Sequence, residues 1–307
     1  MNSDMIKWVA AWVSVVAAGH CMAGDPSYDT LIAHRGESVD APENTLPAYK
    51  TAVERGFGFE CDIFMSKDGR IFTCHGDLER ITEGAVTNRV TDLTWDELSK
   101  INVADNAKWR DSRFNPTHIA LLDEVLELAR DGRYIYVEVK GHKPEWVPQI
   151  KEVFARQRNA SPKNVLFISF GREVCAELKR LMPEYKVFWL TTAKVRPSPG
   201  APKVPVSAKY IVDVLRETGA DGVDCEYVGG LTTAKIIDEV KSAGYEFHVW
   251  TVDDYDDAVE AFRRGVQSVT TNCAKDLLDW HNARKAAAAR AARGSDPCDT
   301  VDVIRSN

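Results

Sequence analysis

The strongest constraint on this chain is the regular return of short β-rich runs, separated by amphipathic segments, from residue 30 to residue 281. The runs occupy 30–34, 58–64, 70–75, 134–140, 164–170, 186–191, 221–226, 246–252 and 266–271. Between them lie helical spacings such as Leu121, Leu122, Val125, Leu128, Ala129 and Ile236, Ile237, Val240. The helical patterns end at Gly56, Gly132, Gly219, Gly244 and Gly265, each followed within a few residues by an apolar run. Glycine just past a helix end supplies the left-handed turn that reverses the chain into the next strand. Such alternation leaves two architectures, a closed barrel or an open doubly wound sheet.

Counting decides between them. The second and third runs are joined only by Ser66-Lys67-Asp68-Gly69, too short for a parallel crossover, so they must form a hairpin. Removing the return strand leaves eight parallel runs, the number a TIM (β/α)8 barrel needs. Pairing about a 66–69 turn would set His75 opposite Glu60. Residues 76–118 break the rhythm as a small rim insertion, with Thr94-Trp95-Asp96-Glu97 reading as a capping box. That insertion, and the loop 192–205 with Pro197, Pro199, Pro202 and Pro205, follow strands on one rim and are expected to lie over the site as ordered walls. The barrel is expected over 24–281, followed by an Ala/Arg-rich, mobile extension over 282–307.

At the N-terminus, Lys7 precedes an apolar stretch from Trp8 to Ala18 and small residues up to Ala23-Gly24. The stretch is about half a membrane span, so residues 1–23 read as a signal peptide cleaved after Ala23, with export to a periplasmic or secreted location. Cys21 follows the bulky His20, where a lipoprotein signal wants a small residue, so no stable membrane anchor is expected. Six cysteines would remain, Cys61, Cys74, Cys175, Cys225, Cys273 and Cys298, scattered without zinc spacing and read as buried free thiols. With 39 basic against 46 acidic residues and a net charge of −7, the chain lacks the basic surface of a nucleic-acid binder.

Charged residues cluster where the apolar runs end: His34-Arg35-Gly36, Glu60-Cys61-Asp62, His75 and Glu138-Val139-Lys140. On the C-terminal rim of a barrel they would converge on one point, where such folds keep their chemistry. Glu60 and Asp62, two apart on a strand, point the same way. With Glu138 they offer three oxygen donors and no thiol, a set suited to one divalent cation, Mg²⁺ or Ca²⁺. Such an ion, Arg35 and Lys140 would leave one net positive charge over the three carboxylates, which a phosphodiester anion neutralises. The alternative, that Arg35 and Lys140 only bridge to Glu60 and Glu138, stays open. His34 and His75 titrate near neutrality and suit a paired acid and base. Of the other histidines, His142 is a weaker candidate for substrate contact and His118 reads as structural. His248 shares a strand face with Trp250, whose indole reads as a wall for substrate.

These residues, with Ala33, Pro42-Glu43-Asn44-Thr45, Ser66-Lys67-Asp68-Gly69, Leu78-Glu79-Arg80-Ile81-Thr82 and Trp250-Thr251-Val252, resemble the glycerophosphodiester phosphodiesterase family over about residues 29 to 281. The resemblance implies a TIM barrel, a divalent ion on Glu60, Asp62 and Glu138, and acid and base roles for His34 and His75. It also implies a small phosphodiester substrate cleaved to glycerol 3-phosphate and an alcohol. Two positions depart from the family pattern: Gly76 intervenes between His75 and Asp77, and Thr271-Asn272 stands where Thr-Asp is frequent. Rival readings are a phospholipase D-like or lysophospholipid phosphodiesterase, an inactive headgroup-binding barrel, and a hydrolase of glycerol-phosphate polymers.

Overall fold

Strands form where β-branched and aromatic residues alternate between two buried faces, and the chain's runs do this with only small shifts of boundary. A computed structural model of the chain describes residues 26–196 and 198–294. The expected signal peptide, Pro197 and Cys298 lie outside the described residues. The strands are β1 (Leu31–Ala33), β2 (Gly58–Met65), β3 (Ile71–Thr73), β4 (Ile135–Val139), β5 (Val165–Ser169), β6 (Val187–Thr191), β7 (Lys194–Val195), β8 (Val204–Pro205), β9 (Gly222–Glu226), β10 (Glu246–Trp250) and β11 (Val269–Thr271). Among the described residues, eight of them run parallel in the order β1-β11-β10-β9-β6-β5-β4-β2, and β1 pairs again with β2 to close the barrel. Closure leaves no open edge in the parallel set.

Helices pack outside the staves. The longer ones are α1 (Leu46–Glu54), α2 (Val147–Arg156), α3 (Arg172–Leu181), α4 (Ala208–Thr218), α5 (Ala234–Ser242), α6 (Tyr255–Arg263) and α7 (Ala274–Gly294). Local chemistry sets their ends. Ser207 Oγ accepts from Tyr210 N at the start of α4, and Asp254 accepts from Asp256 N and Asp257 N at the start of α6. The glycines expected to turn the chain after helices, Gly56, Gly132, Gly219, Gly244 and Gly265, all have φ between +70° and +98°. Helix α7 runs through the boundary placed at residue 281, and among the described residues no helix is long and apolar enough to cross a membrane.

The main core lies between barrel and helices. Phe59, Cys61 and Ile63 of β2 and Ile135, Val137 and Val139 of β4 face outward into it. Phe59 stacks on Tyr49 of α1 with centroids 4.7 Å apart, a contact contributing about 0.5–1.5 kcal/mol beyond burial. Inside the barrel, Ile32, Tyr136, Leu166, Ile168, Phe188 and Leu190 fill the lumen. His248 stacks on Phe188 at 4.3 Å and reaches Ser268 Oγ at 2.7 Å, so this histidine is barrel filling. The five described cysteines are free thiols, four of them buried.

The hairpin of β2 and β3 forms as expected, but its register differs by one place. Ile63 pairs with Thr73, Phe64 with Phe72 and Met65 with Ile71. Arg70 belongs to the turn, because Ser66 N donates to Arg70 O (2.8 Å) and Arg70 N donates to Ser66 Oγ (2.9 Å). The connection is therefore 66–70, and the expected placement of His75 opposite Glu60 is corrected. Cys74 N donates to Asp62 O (3.0 Å), and His75 lies just beyond the strand. Residues 76–118 form the rim insertion, whose Leu78, Val90, Leu98 and Val103 pack with Phe72 of β3 in a second core. The expected capping box at Thr94 and Glu97 is present. Within 192–205, β7 and β8 make a small antiparallel ribbon.

Gly222 shows how tightly the staves are set. A Cβ there would lie 2.5 Å from Glu246 O on β10. Gly222→Ala is expected to lower stability by about 1–3 kcal/mol through overpacking, read as a lower urea midpoint with unchanged slope. An unchanged midpoint would show that the two strands separate freely.

Candidate active site

The alternation that sends Phe59, Cys61 and Ile63 outward sends Glu60 and Asp62 into the barrel mouth, and on β4 it does the same for Glu138. The parallel register sets Asp62 directly beside Glu138. All three are buried, and each offers one carboxylate oxygen within 4.8 Å of the others. Glu60 Oε2 accepts from Arg35 N at 3.0 Å, while its Oε1, also buried, has no hydrogen-bond partner. An orphaned carboxyl oxygen among three converging acidic side chains fits a hard divalent cation.

The charges around this group are unequal. Lys140 Nζ lies 2.9 Å from Asp62 Oδ1 and 2.8 Å from Glu138 Oε1, and Arg35 Nε lies 3.3 Å from Asp62 Oδ2. Burial alone would raise Asp62, but Lys140 and Arg35 outweigh it and hold that carboxyl below the usual range. Glu60 and Glu138 are held above it, by burial first and by the Asp62 charge second. Without a cation the cluster therefore resists carrying three negative charges.

The two histidines arrive along one edge of β2, opposite β4, where β1 pairs with its start and β3 with its end. His34 follows β1, and its N–H donates to Thr271 O (2.8 Å). Its Nδ1 lies 2.7 Å from Asn272 Oδ1, and its Nε2 lies 3.9 Å from Glu60 Oε2. His75 follows β3, with Nδ1 3.4 Å from Asp77 Oδ1. Gly76, at φ +102° with the Phe64 ring where a Cβ would sit, permits the tight turn that brings Asp77 back to His75. Burial lowers the pKa of both histidines, aided by nearby Arg35.

One cavity of about 250 Å³ gathers His34, Arg35, Glu60, His75, Glu138, Lys140 and Trp250. Asp62 lies beneath them, held by the Lys140 and Arg35 contacts. Trp250 stands edge-on to Phe170, which also lines the cavity, at 5.6 Å. Exposed His142 does not line it, and neither do the described residues of 192–205. The insertion instead lines a second cavity of about 350 Å³, with Arg80, Ile81, Glu83, Val103, Lys108 and Trp109 facing Ser38, Pro42 and Glu43.

Sequence reasoning assigned no role to several residues that organise the site. Asn44 Nδ2 donates to Asp62 Oδ2 (2.8 Å), while its Oδ1 accepts from Asp62 N (3.0 Å) and Tyr49 Oη (2.9 Å). Glu43 joins Arg35 (3.0 Å) to Arg80 (2.6 Å). Asp224, buried and pushed up in pKa by that burial, lines the cavity with an unpartnered Oδ1. Pro42-Glu43-Asn44-Thr45 was visible as a polar run, but no periodicity tied it to Asp62.

A sequence model of the Glycerophosphoryl diester phosphodiesterase family matches residues 34–275. The chain belongs to that family, one of phosphoric diester hydrolases. The glycerophosphodiester phosphodiesterase of Caldanaerobacter subterraneus is 26% identical over 262 residues, covering 81% of this chain and 96% of that protein. Glycerophosphodiester phosphodiesterase 1 of Bos taurus is 37% identical over 156 residues, 49% of this chain, and the match spans only 45% of the bovine protein. The structure of an Oleispira antarctica phosphodiesterase, solved with the product sn-glycerol-3-phosphate, superposes with a TM-score of 0.68 at 22% identity, covering 81% of this chain and 95% of that one. This structural likeness shows the shared barrel.

Asn44 grips Asp62 by side chain and backbone together, so it supports the carboxylate trio without lining the cavity. Asn44→Ala is expected to weaken Mg²⁺ or Ca²⁺ binding by about 10–100-fold, read by calorimetric titration. It should also lower stability by about 1–3 kcal/mol. Unchanged cation affinity would show that Asp62 holds its place without this amide.

Proposed function

We propose that this chain hydrolyses glycerophosphodiesters to glycerol 3-phosphate and an alcohol, using one divalent cation and the pair His34 and His75. The observation that carries the reading is the shared cavity, where two imidazoles meet Arg35, Lys140 and the carboxylates Glu60 and Glu138. Glu60, Asp62 and Glu138 would hold the ion, and their all-oxygen chemistry favours Mg²⁺ or Ca²⁺. When bound, it would polarise the phosphoryl oxygens and offset charge in the transition state. Arg35 and Lys140 orient the phosphate from either side of Asp62. One histidine takes the proton of the attacking hydroxyl, from water or the neighbouring glycerol hydroxyl, and the other gives a proton to the leaving alcohol. Trp250 and Phe170 wall the carbon skeleton. The Oleispira protein's bound product supports the assignment of glycerol 3-phosphate. The N-terminal pattern over residues 1–23 supports a periplasmic or secreted setting for the mature chain.

The test is turnover of the purified protein on a panel of glycerophosphodiesters and lysolipids, with and without chelator. Chelation should abolish turnover, and Mg²⁺ or Ca²⁺ should restore it. Full activity in a metal-free preparation would refute the cation's role.

His34→Ala and His75→Ala should each lower kcat by about 10²–10⁴-fold. The double variant should lose much less than the product of the two effects, because the groups act as a unit. A near-normal rate in either single variant, with thermal stability unchanged, would remove that histidine from the chemistry.

A further inference from the structure

The ends of β10 and β11 carry an arrangement of hydrogen bonds whose directions are forced. Asp253 Oδ1 accepts from Thr271 Oγ1 (3.0 Å) and Asn272 N (2.8 Å), while its Oδ2 lies 2.7 Å from Asn272 Nδ2. A carboxylate only accepts. The amide nitrogen of Asn272 must therefore face Asp253, and no other assignment of its oxygen and nitrogen satisfies both oxygens of that carboxylate. This leaves Asn272 Oδ1 toward His34 Nδ1 at 2.7 Å, with Ser38 Oγ at 3.5 Å as a second donor. The amide oxygen also only accepts, so the imidazole proton must sit on Nδ1. In the neutral ring Nε2 then carries a lone pair. It lies 3.9 Å from Glu60 Oε2, outside hydrogen-bond distance.

We propose that Asn272 and Asp253 are positioning residues that lock His34 in its Nδ1–H tautomer, with a bare Nε2 turned to the cavity as the proton acceptor of the reaction. This rests on the functional reading above and deepens it by assigning the two histidines. As the attacking oxygen bonds to phosphorus, its proton moves to His34 Nε2. The bond from phosphorus to the leaving oxygen breaks, and that oxygen takes a proton from His75, whose Nδ1 faces the Asp77 carboxylate at 3.4 Å. A carboxylate at position 272 would also accept from Nδ1–H, but it would bring a charge toward the ring. The amide orients the ring without that charge. Asp253 is needed because an unsupported amide could present either end to the ring.

The test reads the tautomer directly, by nitrogen-15 imidazole spectra of the full-length protein, with His34→Ala used to assign the signals. Wild-type His34 should show its proton on Nδ1. Asn272→Ala and Asp253→Asn should mix the two tautomers and lower kcat by about 10–100-fold, with KM changed little. Asp253 does not line the cavity, so Asp253→Asn serves where Asn272→Ala fails to fold. A wild-type proton on Nε2 overturns the proposal. So does an unchanged tautomer with unchanged kcat in folded Asp253→Asn. An Nδ1 proton in a protein with no phosphodiester turnover would leave the lock standing and refute the functional reading instead.

Discussion

Everything at the barrel mouth depends on containing three carboxylates within 4.8 Å of one another in a buried space. Bringing a single unpaired carboxylate out of water is costly, and adding like charges compounds the cost. The fold answers by placing Asp62 at the centre and surrounding it with donors. Lys140, Arg35 and Asn44 all meet its carboxylate, while Asn44 and Cys74, just past β3, hold its backbone. Glu60 and Glu138, with fewer compensating contacts, are left with raised pKa values. That imbalance makes the site receptive to a cation. Removing any donor would leave a buried charge exposed to its neighbours, a larger loss than the contact itself contributes.

The loop after β1 shows what the arrangement costs the backbone. Arg35 and Asn44 both sit at positive φ, +57° and +56°, in the left-handed region that non-glycine residues seldom occupy. Arg35 in that conformation points its N–H at Glu60 and its side chain at Asp62 and Glu43. Asn44 N donates back to Arg35 O at 3.0 Å, so the two strained residues brace each other. Strain of this kind persists only where surrounding contacts outnumber the alternatives, and here each residue is held by at least two polar partners.

How far the chain could be read in advance follows from which information is local. The eight-strand count was legible because strand runs, helix-end glycines and the short Ser66-Lys67-Asp68-Gly69 link are all contiguous features. The carboxylate trio was legible because residues two apart on an apolar run share a face, and Glu60 and Asp62 do. Register was not: whether Arg70 pairs in the strand or closes the turn depends on Ser66, and that choice moved His75 one place. Asn44 and Glu43 could be quoted as part of a motif, but their partners lie across the fold. Asn272 stood out only as a departure, and its contacts with His34 and Asp253 require β1, β10 and β11 to be neighbours first.

The barrel divides its labour by sector. The titratable groups come from the arc of β1, β2 and β4, with His75 delivered by the outer strand β3. The far arc contributes Ile168 of β5, Leu190 of β6 and Trp250 of β10, together with Phe170 just after β5. One side of the cavity is thus built to hold and transfer charge, and the other to meet carbon. Among the described residues that line the cavity, the titratable group of the far arc is Asp224 of β9, buried with Oδ1 unpartnered and set in register between Leu190 of β6 and His248 of β10. Burial first and the Glu138 charge second hold its carboxyl above the usual range. A diester whose phosphate lies on the charged arc must turn its carbon skeleton toward the apolar one. The polarity of the cavity therefore orients the substrate before any single contact selects it.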